Sequence, residues 1–125
     1  MADFKKYTLL VADDDDELRE ILCSIFDTCG FTVLSAHSGT SAFEIVKKQH
    51  VDLIVSDMCM ADGDGMMLLE KVRAHNPEIP IVIFITGFTD VSTEECLKKG
   101  AKKVITKPFE RQYLINSVTT ALGIS

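Results

Sequence analysis

Short, unbroken apolar runs alternate along this chain with longer stretches of helical period. The short runs are Thr8–Ala12, residues 32–35, 53–56 and 81–85, and Lys103–Thr106. They are β-branched and apolar at successive positions. A strand with one wet face alternates, whereas a strand covered on both faces reads as one continuous run. The pattern therefore predicts five buried strands. Between them, Leu18, Ile21, Leu22, Ile25 and Phe26 form an i, i+3, i+4, i+7, i+8 stripe, the mark of an amphipathic helix. Ala42, Ile45 and Val46 mark a second helix, and Leu68, Leu69 and Val72 a third. A fourth, over residues 92–99, has only Cys96 and Leu97 to face inward. The fifth carries Leu114, Val118, Ala121 and Leu122.

The punctuation agrees with these elements. Gly30 and Gly100 stand where helices end, the latter after Lys98 and Lys99. Asn76-Pro77 stops the third helix, because the residue before a proline avoids helical dihedrals. No repeat, linker or low-complexity stretch interrupts the order. Strand and helix alternate five times, so the fold class is α/β: one doubly wound (βα)5 domain over residues 1–125, with a parallel sheet and right-handed crossovers. In such open sheets ligands sit beyond the carboxyl ends of the strands, where the strand order reverses.

Composition removes several function classes. At 125 residues, 46% hydrophobic and 26% charged, the chain is an ordinary globule that buries a core without staples. Thirteen basic against nineteen acidic residues give a net charge of -6. So acidic a surface repels nucleic acid and anionic lipid, so no nucleic-acid or membrane partner is expected. The longest apolar run, residues 79–85, has seven residues and contains Pro80, too short to span a bilayer. The N-terminus is not a signal peptide. Cys23, Cys29, Cys59 and Cys96 form no CxxC pair and are read as buried reduced thiols, which points to the cytoplasm.

The residues that follow the strands carry the chemistry. Asp13 and Asp14 follow the first, and Asp57 follows the third. Thr86 ends the fourth before Gly87, and Lys107-Pro108 follow the fifth. Four of five strands thus deliver an acid, a hydroxyl or an ammonium to one rim. Three clustered carboxylates repel each other unless cations intervene. Oxygen-only donors suit a hard ion such as Mg²⁺, which takes one or two carboxylates and a phosphate oxygen while keeping waters. Mg²⁺ and the Lys107 ammonium together balance three carboxylates. An aspartate in that setting can act as nucleophile and form an acyl phosphate, its charge in flight offset by the two cations.

These residues resemble the receiver domain of two-component response regulators. The likeness runs through Leu9-Leu10-Val11-Ala12-Asp13-Asp14, Asp57-Met58-Cys59-Met60-Ala61-Asp62-Gly63-Asp64-Gly65, Phe84-Ile85-Thr86-Gly87, and Gly100-Ala101 up to Thr106-Lys107-Pro108-Phe109. The resemblance implies a flavodoxin-like strand order, 2-1-3-4-5. It implies Asp57 as phosphoacceptor, Asp13 and Asp14 as the Mg²⁺ acid pair, and the Cys59 carbonyl as a further metal ligand. It also implies Thr86 and Lys107 as partners of the phosphoryl group, and a cis Lys107–Pro108 bond. The implied donor is a sensor histidine kinase or phosphotransfer protein. The implied output surface is the face of the fourth helix, fifth strand and fifth helix, read by an output protein or domain.

The chain departs from that family pattern in places. Ala61 stands where proline is usual, which predicts a looser loop, although Gly63 and Gly65 still permit a tight turn. Gly87 replaces a common alanine. Val104 occupies a position often aromatic, so the switch is expected to pass through Thr86 and the fourth helix, with Val104 passive. Cys59 and Phe88, at positions that tune dephosphorylation in the family, orient an attacking water poorly, which predicts a long-lived acyl phosphate.

Plainer roles cover other residues. Asp15, Asp16 and Glu17 suit the start of the first helix. Asp62-Gly63-Asp64-Gly65 lacks the glutamate a calcium loop needs, since its twelfth place is Arg73, and reads as a turn into the third helix. His37, His50 and His75 read as surface residues. Met58, Met60, Met66 and Met67 read mostly as core filling. An aspartyl-phosphate phosphohydrolase is the alternative, but Cys59 stands where that chemistry needs a second acid. A flavodoxin-like electron carrier is a further alternative, which colourless protein excludes. The initial Met1 favours an N-terminal or stand-alone position.

Overall fold

The structure is a computed structural model that describes residues 3–87 and 92–124. Five parallel strands form one sheet in the order β2-β1-β3-β4-β5. They are β1 (Thr8–Ala12), β2 (Thr32–Ala36), β3 (Leu53–Asp57), β4 (Ile81–Thr86) and β5 (Lys103–Thr106). The helices are α1 (Asp16–Cys29), α2 (Gly39–Lys48), α3 (Gly65–His75), α4 (Thr93–Lys98) and α5 (Arg111–Leu122), with a 3-10 turn at Phe4–Lys6 ahead of β1.

Successive strand residues point to opposite faces, and this chain fills both. Leu10, Ala12, Ile54, Val82 and Phe84 join Ala42, Leu68, Leu69, Val72 and Cys96 beneath α2, α3 and α4. Leu9, Val11, Leu53, Val55, Ile83 and Ile85 join Leu22, Phe26, Leu114 and Val118 beneath α1 and α5. The three central strands are therefore buried on both sides, which is why their runs are unbroken. The edge strands differ from the expectation of full cover. Thr32 and Ser35 of β2 and Thr106 of β5 are exposed, because each of these strands has a neighbour on one side only.

Helix ends are chemically specified. Asp15, Ser38, Asp64 and Ser92 each accept a hydrogen bond at their helix N-terminus, and Gly30 closes α1 in the left-handed region at φ 104°. Two inward assignments need correction. Ile21 is 50% exposed and Leu97 is 44% exposed, because the sheet covers a narrower arc of α1 and α4 than the apolar pattern claims. The cysteine reading also needs correction. Cys96 is buried and Cys23 and Cys29 half-buried, with burial pushing each thiol pKa up, but Cys59 is exposed on the loop after β3. All three histidines are exposed, as expected. Met58 and Met60 are buried, and Met66 and Met67 half-buried. No helix among the described residues is long and apolar enough to cross a membrane.

Candidate functional site

Strand register assembles the site. The order reverses between β1 and β3, where α1 leaves for one face and α2 and α3 cover the other. Ala12 pairs with Ser56, so the next residues, Asp13 and Asp57, emerge side by side. Asp57 pairs with Ile85, one residue before Thr86, and Thr86 pairs with Thr106, one residue before Lys107. Residues 13, 57, 86 and 107 therefore meet at one rim because four parallel strands end in step.

The carboxylates of Asp13, Asp14 and Asp57 each offer an oxygen within 4.8 Å of the others. Lys107 Nζ lies 3.8 Å from Asp57 Oδ2, an ion pair too long to be a strong hydrogen bond. Asp13 is 1% exposed, and Thr86 is buried at the end of β4. The Asp13 backbone N–H donates to Ala36 O on β2, and its Oδ1 accepts the Asp15 N–H at 2.9 Å. The Arg19 guanidinium donates to Asp13 O at 2.8 Å. Burial pushes the Asp13 carboxyl pKa up. The negative charges of Asp57 and Asp14 push the same way, opposed by the Asp15 N–H and by Lys107. A rim of carboxylates with one ammonium and all-oxygen donors fits a hard divalent cation.

That electrostatic strain has a measurable sign. An acid whose pKa is raised by folding binds its proton more tightly in the native state, so its contribution falls as pH rises through the raised value. In chelator at pH 7, Asp13→Asn is expected to raise Tm by several degrees over the wild type. The advantage should shrink as pH is lowered towards 3.8, the ordinary value of the group. Thermal melts of both proteins across that range check it, and equal melting points at pH 7 would refute it.

The loop from Met58 to Asp64 is not loose, contrary to what Ala61 suggested. Met58 N–H donates to Ile85 O, and Gly65 N–H closes back on Met58 O at 2.9 Å. Gly39 N–H, at the start of α2, donates to Gly63 O at 2.7 Å, and Thr40 N–H to Asp62 O at 3.3 Å. A side chain at Gly39 would collide with the backbone of Gly63 and Asp64, so this close approach requires glycine there. Ala61 N–H donates to Asp14 Oδ2 at 3.1 Å. These braces were not read from the sequence, although the alanine at 61, which unlike proline carries an N–H, was a visible sign of the last. The Cys59 N–H points at Asp57 Oδ1 from 3.5 Å, a long contact. Asp64 caps α3, as the turn reading expected. The Lys107–Pro108 bond is cis, as the resemblance implied, and so is Ile79–Pro80. Val104 is half-buried against the α3 side of the core. Phe88 lies outside the described residues.

Comparison with known proteins agrees with this geometry. Residues 9–119 match the family described as the response regulator receiver domain. The transcriptional regulatory protein ZraR of Escherichia coli K12 is 37% identical over 116 residues, 92% of this chain but 26% of that protein. The regulatory protein AtoC of the same organism is 31% identical over 117 residues, 93% of this chain and 25% of its own length. This chain thus spans about a quarter of the curated relatives it matches. Among solved structures, a receiver domain protein from Clostridium thermocellum superposes with a TM-score of 0.87 at 27% identity, covering 94% of each chain. The receiver domain of Francisella response regulator 1452 gives 0.86 at 30% identity, covering 94% of this chain and 97% of that one. With the doubly wound order 2-1-3-4-5, an acidic rim at its switch point and a family match over nearly the whole length, the chain belongs to the response regulator receiver domain family.

Proposed function

We propose that residues 1–125 act as one cytoplasmic receiver domain that takes a phosphoryl group onto Asp57 with Mg²⁺ bound. The observation that carries this reading is the convergence of three carboxylates and one ammonium on a single rim. Asp13, Asp14 and Asp57 would hold the ion through carboxylate oxygens, and Cys59 through its backbone carbonyl. When bound, Mg²⁺ supplies charge neutralisation for the transferring phosphoryl oxygens. An Asp57 carboxylate oxygen forms the new P–O bond as the P–N bond of a partner's phosphohistidine breaks, and the bonding pair returns to the imidazole nitrogen. Lys107, already paired with Asp57, then faces a phosphoryl oxygen, and the Thr86 hydroxyl donates to another.

The donor would be a sensor histidine kinase or phosphotransfer protein. The added charge would bias a two-state element that a partner reads. The face of α4, β5 and α5 suits that output. It exposes Leu97 and Tyr113, and the Lys103 ammonium sits 4.4 Å from the Tyr113 ring centre.

Acetyl phosphate with Mg²⁺ tests the reading. Intact mass should rise by one phosphoryl group, the label should map to the peptide containing Asp57, and chelator should block it. A wild type that gains no mass, or that turns over a phosphate monoester repeatedly, overturns it in favour of no transfer or of a phosphohydrolase.

A further inference from the structure

We propose that the backbone amide of Ala61 is a positioning group for the metal-binding acid Asp14, holding its carboxylate in place before the ion arrives. The inference rests on the Mg²⁺ site proposed above and concerns how this chain builds it. Asp14 is exposed, so its side chain is otherwise at liberty to swing into solvent. Its Oδ2 accepts the Ala61 N–H at 3.1 Å across 47 residues of sequence. The acceptor keeps a second oxygen and further lone pairs, so the bond leaves it able to ligate.

The donor itself is fixed from both sides. Upstream, Met58 is tied to β4 and to Gly65. Downstream, Asp62 and Gly63 are tied to Thr40 and Gly39 at the start of α2, and Thr40 Oγ1 reaches Asp62 Oδ1 at 3.3 Å. Between those anchors Ala61 has little room to move its N–H. A proline at 61, which the family pattern usually carries, has no N–H and cannot make this bond. The departure at 61 is therefore coupled to how Asp14 is oriented.

Two measurements on unphosphorylated protein test this. The first is Mg²⁺ titration by calorimetry of the wild type, Ala61→Pro and Ala61→Ser. Serine keeps the N–H and should bind like the wild type. Proline should weaken binding about tenfold, the low end for losing a group that orients a metal ligand. The second is hydrogen exchange at the Ala61 amide of the wild type, which needs no variant to fold. Exchange should be slow without metal and no faster with saturating Mg²⁺. Mg²⁺ binding by Ala61→Pro as tight as that of the wild type, or an Ala61 amide that exchanges faster once the ion is bound, overturns the proposal. A wild type that binds no Mg²⁺ overturns the metal reading and this inference together. A wild type that binds Mg²⁺, with Ala61→Pro unaffected, overturns this inference alone.

Discussion

Asp57→Asn is expected to take up no phosphoryl group from acetyl phosphate under conditions that label the wild type completely. The substitution is nearly isosteric. The backbone bonds that hold the neighbouring loop, Met58 N–H to Ile85 O and Gly65 N–H to Met58 O, do not involve the side chain and persist. What disappears is the anionic oxygen, and an amide is a poor nucleophile towards phosphorus. The ion pair to Lys107 is lost too, but at 3.8 Å and partly exposed it contributes little stability. Removing the Asp57 charge also relieves one of the influences that raise the Asp13 pKa, so the variant should fold at least as well as the wild type in chelator. Mg²⁺ affinity should fall, since one of three carboxylates is gone. Intact-mass spectrometry with a parallel thermal melt separates loss of chemistry from loss of fold. Undiminished labelling of a well-folded Asp57→Asn would assign the acceptor role to another rim acid, Asp13 or Asp14.

The central strands were legible because burial on both faces forces an unbroken apolar run. β1, β3 and β4 were each placed within a residue of their ends. β2 and β5 were found through β-branched composition, although their outer edges face solvent. The helical stripes were less faithful. Ile21 belongs to the apolar stripe of α1 by spacing, yet half of it is exposed, because periodicity reports which face is apolar and not how wide a surface the sheet offers it. α4 is short, Leu97 lies outside the core, and only Cys96 anchors it. That leaves the pattern too thin to define its ends.

The rim residues were legible for a different reason. In a parallel sheet each strand ends at the same edge, so acids that follow separate strands meet even when 44 residues part Asp13 from Asp57. The loop contacts were not legible. Gly39 against Gly63, and Ala61 against Asp14, depend on how a segment without period folds back, and spacing alone does not encode that. Alanine at 61 implies a looser loop, with Gly63 and Gly65 still allowing a tight turn, but the N–H it retains makes a bond to Asp14 that a proline cannot. Residue type alone groups Cys59 with the buried thiols, while its place on that loop exposes it.

Phe84→Ala is expected to destabilise the fold by about 3–5 kcal/mol, the range for emptying a buried aromatic site. Phe84 is fully buried in β4, between Ser56 of β3 and Val104 of β5. Its ring lies under α3 with Leu10, Ile54, Leu68 and Val72. The neighbouring strands and α3 are fixed by their own hydrogen bonds, so they cannot collapse fully into the vacated space. A loss of that size is a large part of a stability of roughly 5–15 kcal/mol, and the expected fall in Tm is roughly 10–20 °C. The damage should also reach the site. A Cβ built on Gly65 would stand 2.9 Å from Phe84 Cε1 and 2.7 Å from Asp57 O, so the ring packs against the residue that closes the loop after Asp57. Removing it frees Gly65 to shift, and with Gly65 the Met58 carbonyl that it holds. Phe84→Ala should therefore bind Mg²⁺ more weakly than the wild type even well below its melting point, whereas Phe84→Leu should keep most of both properties. Urea unfolding gives the first quantity and calorimetric Mg²⁺ titration the second. A loss under about 1 kcal/mol for the alanine variant would mean that this face of the sheet is not close-packed around the ring. Unchanged Mg²⁺ affinity alongside the full loss of stability would uncouple Gly65 from the acidic rim.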